Sequence, residues 1–238
     1  PMWATPHRAM SPELEIAADP HELAELCARQ IVHQIRQAIS VRGVARLCAS
    51  GGSTPRAVYA RLAQPDLVTQ LDFERLHIYF GDERCVPPDH PESNYGMLRE
   101  SLLTRVAMPE ANVHRIAGEC APEEARAAYE AELRAALAEA PSGGPRQPFD
   151  VTLLGMGDDG HTASLFPGSA LETLAWVAAR RHPQSGQWRI TLTEPVLNAA
   201  RLALFMVSGS SKAERLLEVL HGPRDPQRLP AQRIAPSG

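Results

Sequence analysis

The sequence predicts an α/β fold: a Rossmann-like, mainly parallel sheet with helices on both faces. Three observations predict it. Short apolar runs alternate along the chain with stretches of helical periodicity. Glycine- and serine-rich loops follow directly on several of those runs, at the carboxyl ends of strands, where ligands bind in such folds. The chain has 238 residues, 44% of them hydrophobic, which is enough to bury one sizeable core. Residues 1–12 are expected to form a flexible lead-in and residues 13–238 a single domain.

The elements follow in order. Glu13 to Ala17 reads as a short strand. Asp19-Pro20-His21-Glu22 then opens a helix: Asp caps it, Pro occupies the first turn and Glu stands at the capping-box position. Leu23, Cys27, Ile31, Ile35 and Ile39 give it one apolar face, and Gly43 ends it. Val44 to Ala49 is a strand, Pro55 to about Ala63 a helix, Leu76 to Phe80 a strand and Asn94 to Thr104 a helix. Glu123 to Ala140 is a long helix rich in Ala, Glu and Arg, and Pro141 to Pro145 is a loop within the domain, because the alternation resumes after it. Phe149–Leu154, Trp188–Leu192 and Leu202–Val207 are strands, and Ser211 to about His221 is the last helix.

Composition excludes several classes of function. A net charge of −4 offers no general attraction to nucleic acid or to an anionic membrane, so any bound anion must be held by local positive groups. Cys27, Cys48, Cys85 and Cys120 are widely spaced without a CxxC pair, which argues against a zinc knuckle or a disulfide framework. No apolar run approaches the roughly 20 residues needed to span a bilayer, and no signal core opens the chain, so a cytoplasmic location is expected. Asp89 and His90 fit no standard metal spacing and read as part of a polar loop; no metal and no cofactor is expected. Among the 24 Lys plus Arg residues, Lys212 is the one lysine. Either chance left it there, or the site needs a compact ammonium in place of a planar guanidinium.

Four loops carry chemical potential. In Ser50-Gly51-Gly52-Ser53-Thr54-Pro55, Gly51 and Gly52 let amides converge, Ser53 and Thr54 add hydroxyls, and the following helix start favours an anion. A tight strand-to-helix turn is the plainer reading. No Gly-Lys-Ser/Thr follows, so this is not a nucleoside triphosphate loop. Ser208-Gly209-Ser210-Ser211-Lys212 repeats the pattern and adds the lone lysine, with Arg189 either a further anion contact or a salt-bridged edge residue. Arg84, in Asp82-Glu83-Arg84, is a partner for a site carboxylate or an anion ligand. Gly155-Met156-Gly157-Asp158-Asp159-Gly160-His161 matches G-x-G-x-x-G after a strand, but its two Asp residues stand where a pyrophosphate would lie, Pro167 leaves little room for the helix such a motif opens, and no Asp or Glu ends the next strand to bind a ribose. The remaining readings are a structural His capping the turn, or His161 as a general base oriented by a neighbouring Asp.

Together these motifs resemble the 6-phosphogluconolactonases. The resemblance rests on Ser50 to Pro55, on Gly81 to Pro87 with Ser93-Asn94, on Gly155 to Pro167, on Arg189 with Thr191 to Thr193, and on Gly209 to Ala213; it covers roughly residues 14 to 233. It implies a Rossmann-like fold and hydrolysis of a sugar phosphate lactone, 6-phosphoglucono-1,5-lactone, without metal or nucleotide, by a monomer or small homo-oligomer. On this reading Gly51, Gly52, Ser53, Thr54, Arg84, Arg189 and Lys212 hold the phosphate, His161 activates water, Asp159 orients the His161 imidazole, and the Gly157 and Gly160 amides meet the oxyanion. The related glucosamine-6-phosphate deaminases share the phosphate loop and the Asp-Gly-His core, but place a Glu five residues after the His, where this chain has Phe166. A non-catalytic sugar-phosphate binding module is the third reading. The family usually continues into a final Trp- and Asp-containing strand and an Ala-rich end; this sequence stops at Gly238, which puts that strand in question.

Overall fold

A computed structural model describes residues 12–137, 149–171 and 174–236. The expected loop at 141–145, the last turn of the helix before it, and residues 1–11 of the lead-in lie outside the described residues.

The first helix, α1 (Pro20–Arg42), forms where its caps dictate. The Asp19 carboxylate accepts from the N–H groups of His21 at 2.8 Å and Glu22 at 2.9 Å, and Glu22 accepts from the N–H of Ala18. At the other end Gly43 turns left-handed (φ 76°) and donates to Ile39 O at 2.8 Å. Cys27, Ile31 and Ile35 are buried and Leu23 and Ile39 half-buried, as the four-residue spacing requires. Ala24, Ala28, Val32 and Ala38 widen that stripe into a packing face.

A five-stranded sheet has the order β4-β2-β1-β5-β8, where β1 is Ala45–Ala49, β2 Leu76–Phe80, β4 Val113–His114, β5 Val151–Leu154 and β8 Leu202–Phe205. Every pairing in it is parallel. Successive residues of β5, Val151 to Leu154, are all buried, so both sides of the sheet centre are covered. Helix α2 (Ser53–Leu62) begins two residues earlier than expected, with Gly52 as its cap. It is followed by the short α3 (Pro65–Val68) and later by α4 (Asn94–Ser101) and α5 (Pro122–Leu137). Among the described residues β8 is an edge strand, followed by a 3₁₀ turn at Ser210–Lys212 and α7 (Ala213–His221).

Two expectations need correction. Glu13 to Ala17 does not form a strand: the segment is irregular, and Leu14 and Ile16 are 60% and 84% exposed. A strand exists only through its ladder, and neither sheet offers these residues a partner. Trp188–Leu192 does not join the parallel sheet. It is β7, the centre of a small antiparallel sheet of order β3-β7-β6, with β3 at Asp82–Arg84, which the sequence suggested was loop, and β6 at Val177–Arg181. The two sheets meet at Gly81, whose N–H donates to Ala49 O of β1 at 2.9 Å while its carbonyl accepts from Leu192 N of β7 at 2.8 Å. The chain therefore passes from one sheet into the other without a loop, and a periodicity argument sees only one apolar strand followed by polar residues. After β7 comes α6 (Glu194–Asn198), where Glu194 forms a buried ion pair with Arg233 at 2.8 Å that ties down the last described segment.

The junction of β3 and α4 rests on one carboxylate. Glu83 is 2% exposed, and its oxygens accept from the N–H groups of Arg84, Asn94 and Tyr95 at 2.8, 2.8 and 2.9 Å and from Ser93 Oγ at 3.1 Å. The charge thus sits on the N-terminus of α4, where the helix dipole favours it. Burial pushes its carboxyl above the usual range, and the three backbone donors work against that rise. Replacing Glu83 with Ala leaves these buried donors without an acceptor, so Glu83→Ala is expected to lower unfolding free energy by about 3 kcal/mol. A urea melt of the variant overlying that of the parent protein would refute this account.

Candidate active site

The carboxyl ends of the strands open on a cleft of about 370 Å³. Its position follows from the strand order. From β1 the chain builds β2 on one side and later β5 on the other, so the crevice falls between β1 and β5, as expected for a switch point in an open α/β sheet. The cleft is walled by Ser50 to Pro55 on the β1 side and by Gly155, Met156, Gly157 and His161 on the β5 side. The small antiparallel sheet brings in Asp82, Arg84 and Arg189, and the loop before α7 brings in Lys212.

The Ser50 to Thr54 loop is built as an anion cradle. Gly52 caps α2 at φ 112°, and its carbonyl accepts from Arg56 N at 3.1 Å. The amides of Gly51, Gly52, Ser53 and Thr54 donate to no protein oxygen among the described residues, so the α2 N-terminus faces the cleft with open donors. Gly51 is required by close packing: a Cβ there would lie 1.8 Å from Oδ1 of Asn94. Asn94 in turn donates to Asp82 O at 2.8 Å and to Asp82 Oδ1 at 3.1 Å, and it accepts from Arg84 Nη1.

The guanidinium groups carry the strongest electrostatic signal. Arg84 and Arg189 stand opposite one another in the β3–β7 register. Like charges directly across a ladder repel. Arg84 donates to the carbonyl of Glu92 at 2.8 Å and to Asn94, so its partners are neutral and the site-carboxylate reading of Arg84 is not what the structure holds. Arg189 is not an edge residue, since it lies on the central strand of its sheet, and among the described residues it has no salt bridge and its buried Nη1 has no hydrogen-bond partner. Burial, and then the neighbouring Arg84 charge, pull its pKa below the ordinary arginine value. An anion between these groups would relieve both the repulsion and the orphaned donor.

On the opposite wall, His161 Nδ1 lies 2.6 Å from Asp159 Oδ1, and the same oxygen accepts from the His161 backbone N–H at 3.0 Å. Burial raises the Asp159 carboxyl, but the backbone donor and the imidazole outweigh it and hold the group below the usual carboxylate range. Asp159 is therefore ionised at neutral pH and fixes the proton on Nδ1, which leaves Nε2 as the basic atom of the ring. Among the described residues, Nε2 has no protein partner. The backbone carbonyl of the neighbouring Asp158 accepts from Arg215 Nε at 2.9 Å, which ties the loop to α7. Gly157 makes room for the imidazole: a Cβ there would stand 2.2 Å from two atoms of the His161 ring. The next residues bind this loop to the small sheet, through Ser164 Oγ to Asp82 Oδ2 at 2.8 Å and Thr191 Oγ1 accepting from Ser164 N at 3.2 Å. Between them Ala163 is held at φ 47°, an uncommon conformation for a residue with a Cβ.

Two expectations about this site change. The Gly157 amide donates to His161 O at 2.9 Å and the Gly160 amide to Gly157 O at 3.0 Å, so both are spent in folding the loop and neither is open to an oxyanion. The loop before α7 contributes Lys212 alone to the cleft lining, because Ser210–Lys212 is a 3₁₀ turn rather than the first turn of α7. Lys212 Nζ donates to Met156 O at 2.6 Å, which joins this loop to the His161 loop and leaves two ammonium protons for a ligand. Asp82, Asn94, Ser164 and His182 were not singled out for the site from sequence. Asp82 and Asn94 lay inside conspicuous motifs, whereas His182, in the turn between β6 and β7, had no local signal. Phe166 is buried and packs against both His161, tilted at 58° with ring centres 5.3 Å apart, and His182, edge-on with ring centres 5.0 Å apart. Outside the cleft, His90 accepts from Glu92 N at 3.1 Å within its polar loop.

Known proteins are similar to this chain over nearly its whole length. The family model described as glucosamine-6-phosphate isomerases/6-phosphogluconolactonase matches residues 18–238. The 6-phosphogluconolactonase of Synechocystis sp. is 39% identical over 230 residues, covering 96% of this chain and 93% of that protein. That of Mycobacterium tuberculosis is 36% identical over 230 residues, covering 93% and 91%. Among solved structures, the 6-phosphogluconolactonase from Trypanosoma brucei has a TM-score of 0.83 at 30% identity, over 94% of this chain and 92% of that one. A monomeric glucosamine-6-phosphate deaminase has a TM-score of 0.75 at 20% identity, a likeness of fold. With the family model and these relatives spanning more than nine-tenths of its length, the chain belongs to the glucosamine-6-phosphate isomerase/6-phosphogluconolactonase family.

Proposed function

We propose that this chain hydrolyses 6-phosphoglucono-1,5-lactone to 6-phosphogluconate, in the oxidative branch of pentose phosphate metabolism. The observation that carries the reading is the pairing, across one cleft, of an Asp159-oriented imidazole with an anion cradle. The open amides of residues 51–54, the hydroxyls of Ser53 and Thr54, and the guanidinium groups of Arg84 and Arg189 receive the phosphate. Lys212 adds its charge from the other wall. Anchored there, the substrate presents its lactone carbonyl to His161.

The chemistry then needs little more than one base. Nε2 of His161 takes a proton from water as the water oxygen attacks C1, and Asp159 stabilises the resulting imidazolium. The tetrahedral intermediate collapses with cleavage of the bond between C1 and the ring oxygen, and the imidazolium returns the proton to that oxygen. Sugar-ring opening of the deaminase kind would require a proton-transfer group near Phe166. That position holds a buried phenyl ring packed on His161, which supports the lactonase reading over the deaminase one. No helix among the described residues is long and apolar enough to cross a membrane, and the free thiols of Cys27, Cys48, Cys85 and Cys120 support a reducing, cytoplasmic setting.

Lactone hydrolysis above the spontaneous rate, with no ammonia released from glucosamine 6-phosphate, is the direct test; the reverse pattern would transfer the chain to the deaminases. His161→Asn is expected to lower kcat by about 10²–10⁴-fold while sparing phosphate affinity, and a fully active variant would remove His161 from the mechanism. Gly157→Ala forces the imidazole aside, so kcat should fall by roughly 10²-fold with inorganic phosphate binding retained in calorimetry. Lys212→Ala should act chiefly on KM; a fall in kcat alone would move its ammonium from the phosphate to the reacting carbonyl.

A further inference from the structure

The crevice exists because β1 and β5 part company. Their ladder pairs Leu47 with Val151 and Cys48 with Thr152 and goes no further, while β1 remains paired with β2 as far as Ala49 and Phe80. Ala49 O is used on the β2 side, by Gly81 N. Backbone groups alternate in direction along a strand, so the N–H and C=O of Ser50 point the other way, towards the place β5 has vacated. Both would be orphaned there. They are not, because Tyr59 of α2 supplies one hydroxyl to both: it accepts from Ser50 N at 2.9 Å and donates to Ser50 O at 2.8 Å. Tyr59 is fully buried, and burial keeps its phenol protonated, as donation requires.

Ser50 is also the last residue before the cradle whose backbone N–H and C=O are both held by the protein; beyond it, among the described residues, Gly51 O accepts only from Ser50 Oγ, at 3.4 Å. The four amides that follow have no protein acceptor among the described residues, and the next backbone bond is Gly52 O to Arg56 N, already inside α2. We propose that Tyr59 is a positioning residue for the anion cradle: its hydroxyl replaces the strand pairing that the crevice removes, and so fixes the direction in which the amides of residues 51–54 point. The proposal rests on reading the cleft as a sugar-phosphate site. Tyr129 supplies an internal comparison. Its hydroxyl does the same for Phe80, accepting from Phe80 N at 2.9 Å and donating to Phe80 O at 3.0 Å, on the side where β4 is too short to continue. The residue after Phe80, however, is held on both sides by the Gly81 bonds to β1 and β7, so the site does not depend on Tyr129.

The two tyrosines should therefore behave alike in stability and differently in function. Tyr59→Phe, which removes both hydroxyl bonds to Ser50, is expected to raise KM for the lactone and Kd for inorganic phosphate roughly tenfold, with kcat within about twofold of the parent. Tyr129→Phe should lower Tm to a similar degree and leave KM and phosphate Kd within about twofold. A Tyr59→Phe protein with lowered Tm but unchanged KM and phosphate Kd would overturn the proposal, as would equal KM changes in both variants. Amide hydrogen exchange on the unmodified chain gives a second test that needs no variant. Ser50 N–H should be protected without ligand, while the amides of 51–54 exchange fast and slow on adding phosphate; a Ser50 amide as fast as its neighbours would also overturn it. Phosphate Kd is independent of turnover, so an inactive parent protein would defeat the lactonase reading and leave the role of Tyr59 still testable.

Discussion

The divergence of β1 and β5 beyond Cys48 and Thr152 is the constraint on which the rest depends. Backbone polar groups released from a ladder must find other partners or face solvent or ligand. This chain uses each option in turn. Ser50 is satisfied by the Tyr59 hydroxyl, the amides of 51–54 are left open to the cleft, and the loop leaving β5 folds back on itself through the Gly157 and Gly160 amides. An anion cradle and a rigid histidine loop thus arise on the two lips of one opening. Neither lip needs long-range charge, which agrees with a chain whose net charge is slightly negative.

The small antiparallel sheet converts that opening into a site with two ends. Gly81 belongs to both sheets through its two backbone bonds, so Asp82, Glu83 and Arg84 leave the parallel sheet along a fixed path. Glu83 then draws in the N-terminus of α4, Asn94 fills the space that Gly51 leaves, and Arg84 arrives opposite Arg189. Two guanidiniums facing each other with no carboxylate in ion-pair contact among the described residues are an unfavourable arrangement. Such local cost is common where a ligand supplies the missing charge. On the other lip Ala163, strained at positive φ, lies between Thr162, bonded to Gly155 O at 2.8 Å, and Ser164, bonded to Asp82. Strain and unpaired charge both face the cleft rather than the core.

Much of this was legible in the residues. Helix α1 was bounded by its Asp-Pro start and Gly43, and the parallel strands by their apolar runs, since caps and periodicity are local properties. Gly51, Gly52, Ser53, Thr54, Arg84, Arg189, Lys212, Gly157 and His161 do line one cleft, and Asp159 bonds to His161. The failures share a physical origin. The antiparallel sheet was invisible because β3 is three polar residues whose strand character comes wholly from β7. The expected strand at 13–17 had the right residue types but no neighbour to pair with. The oxyanion role for Gly157 and Gly160 fell because amide occupancy depends on how the turn closes.

What the sequence determined by itself, then, was the kind of fold and the inventory of reactive groups: caps, periods, glycine loops, one lysine and one histidine among carboxylates act within a few residues of themselves. What only the tertiary structure decided was how those groups face one another. Arg84 meets Arg189 across 105 residues of chain because β3 and β7 share a ladder, and Tyr59 holds Ser50 because β5 has turned away. Pairing between distant strands is set by which edges remain to be satisfied once the core has closed, and no local pattern carries that information.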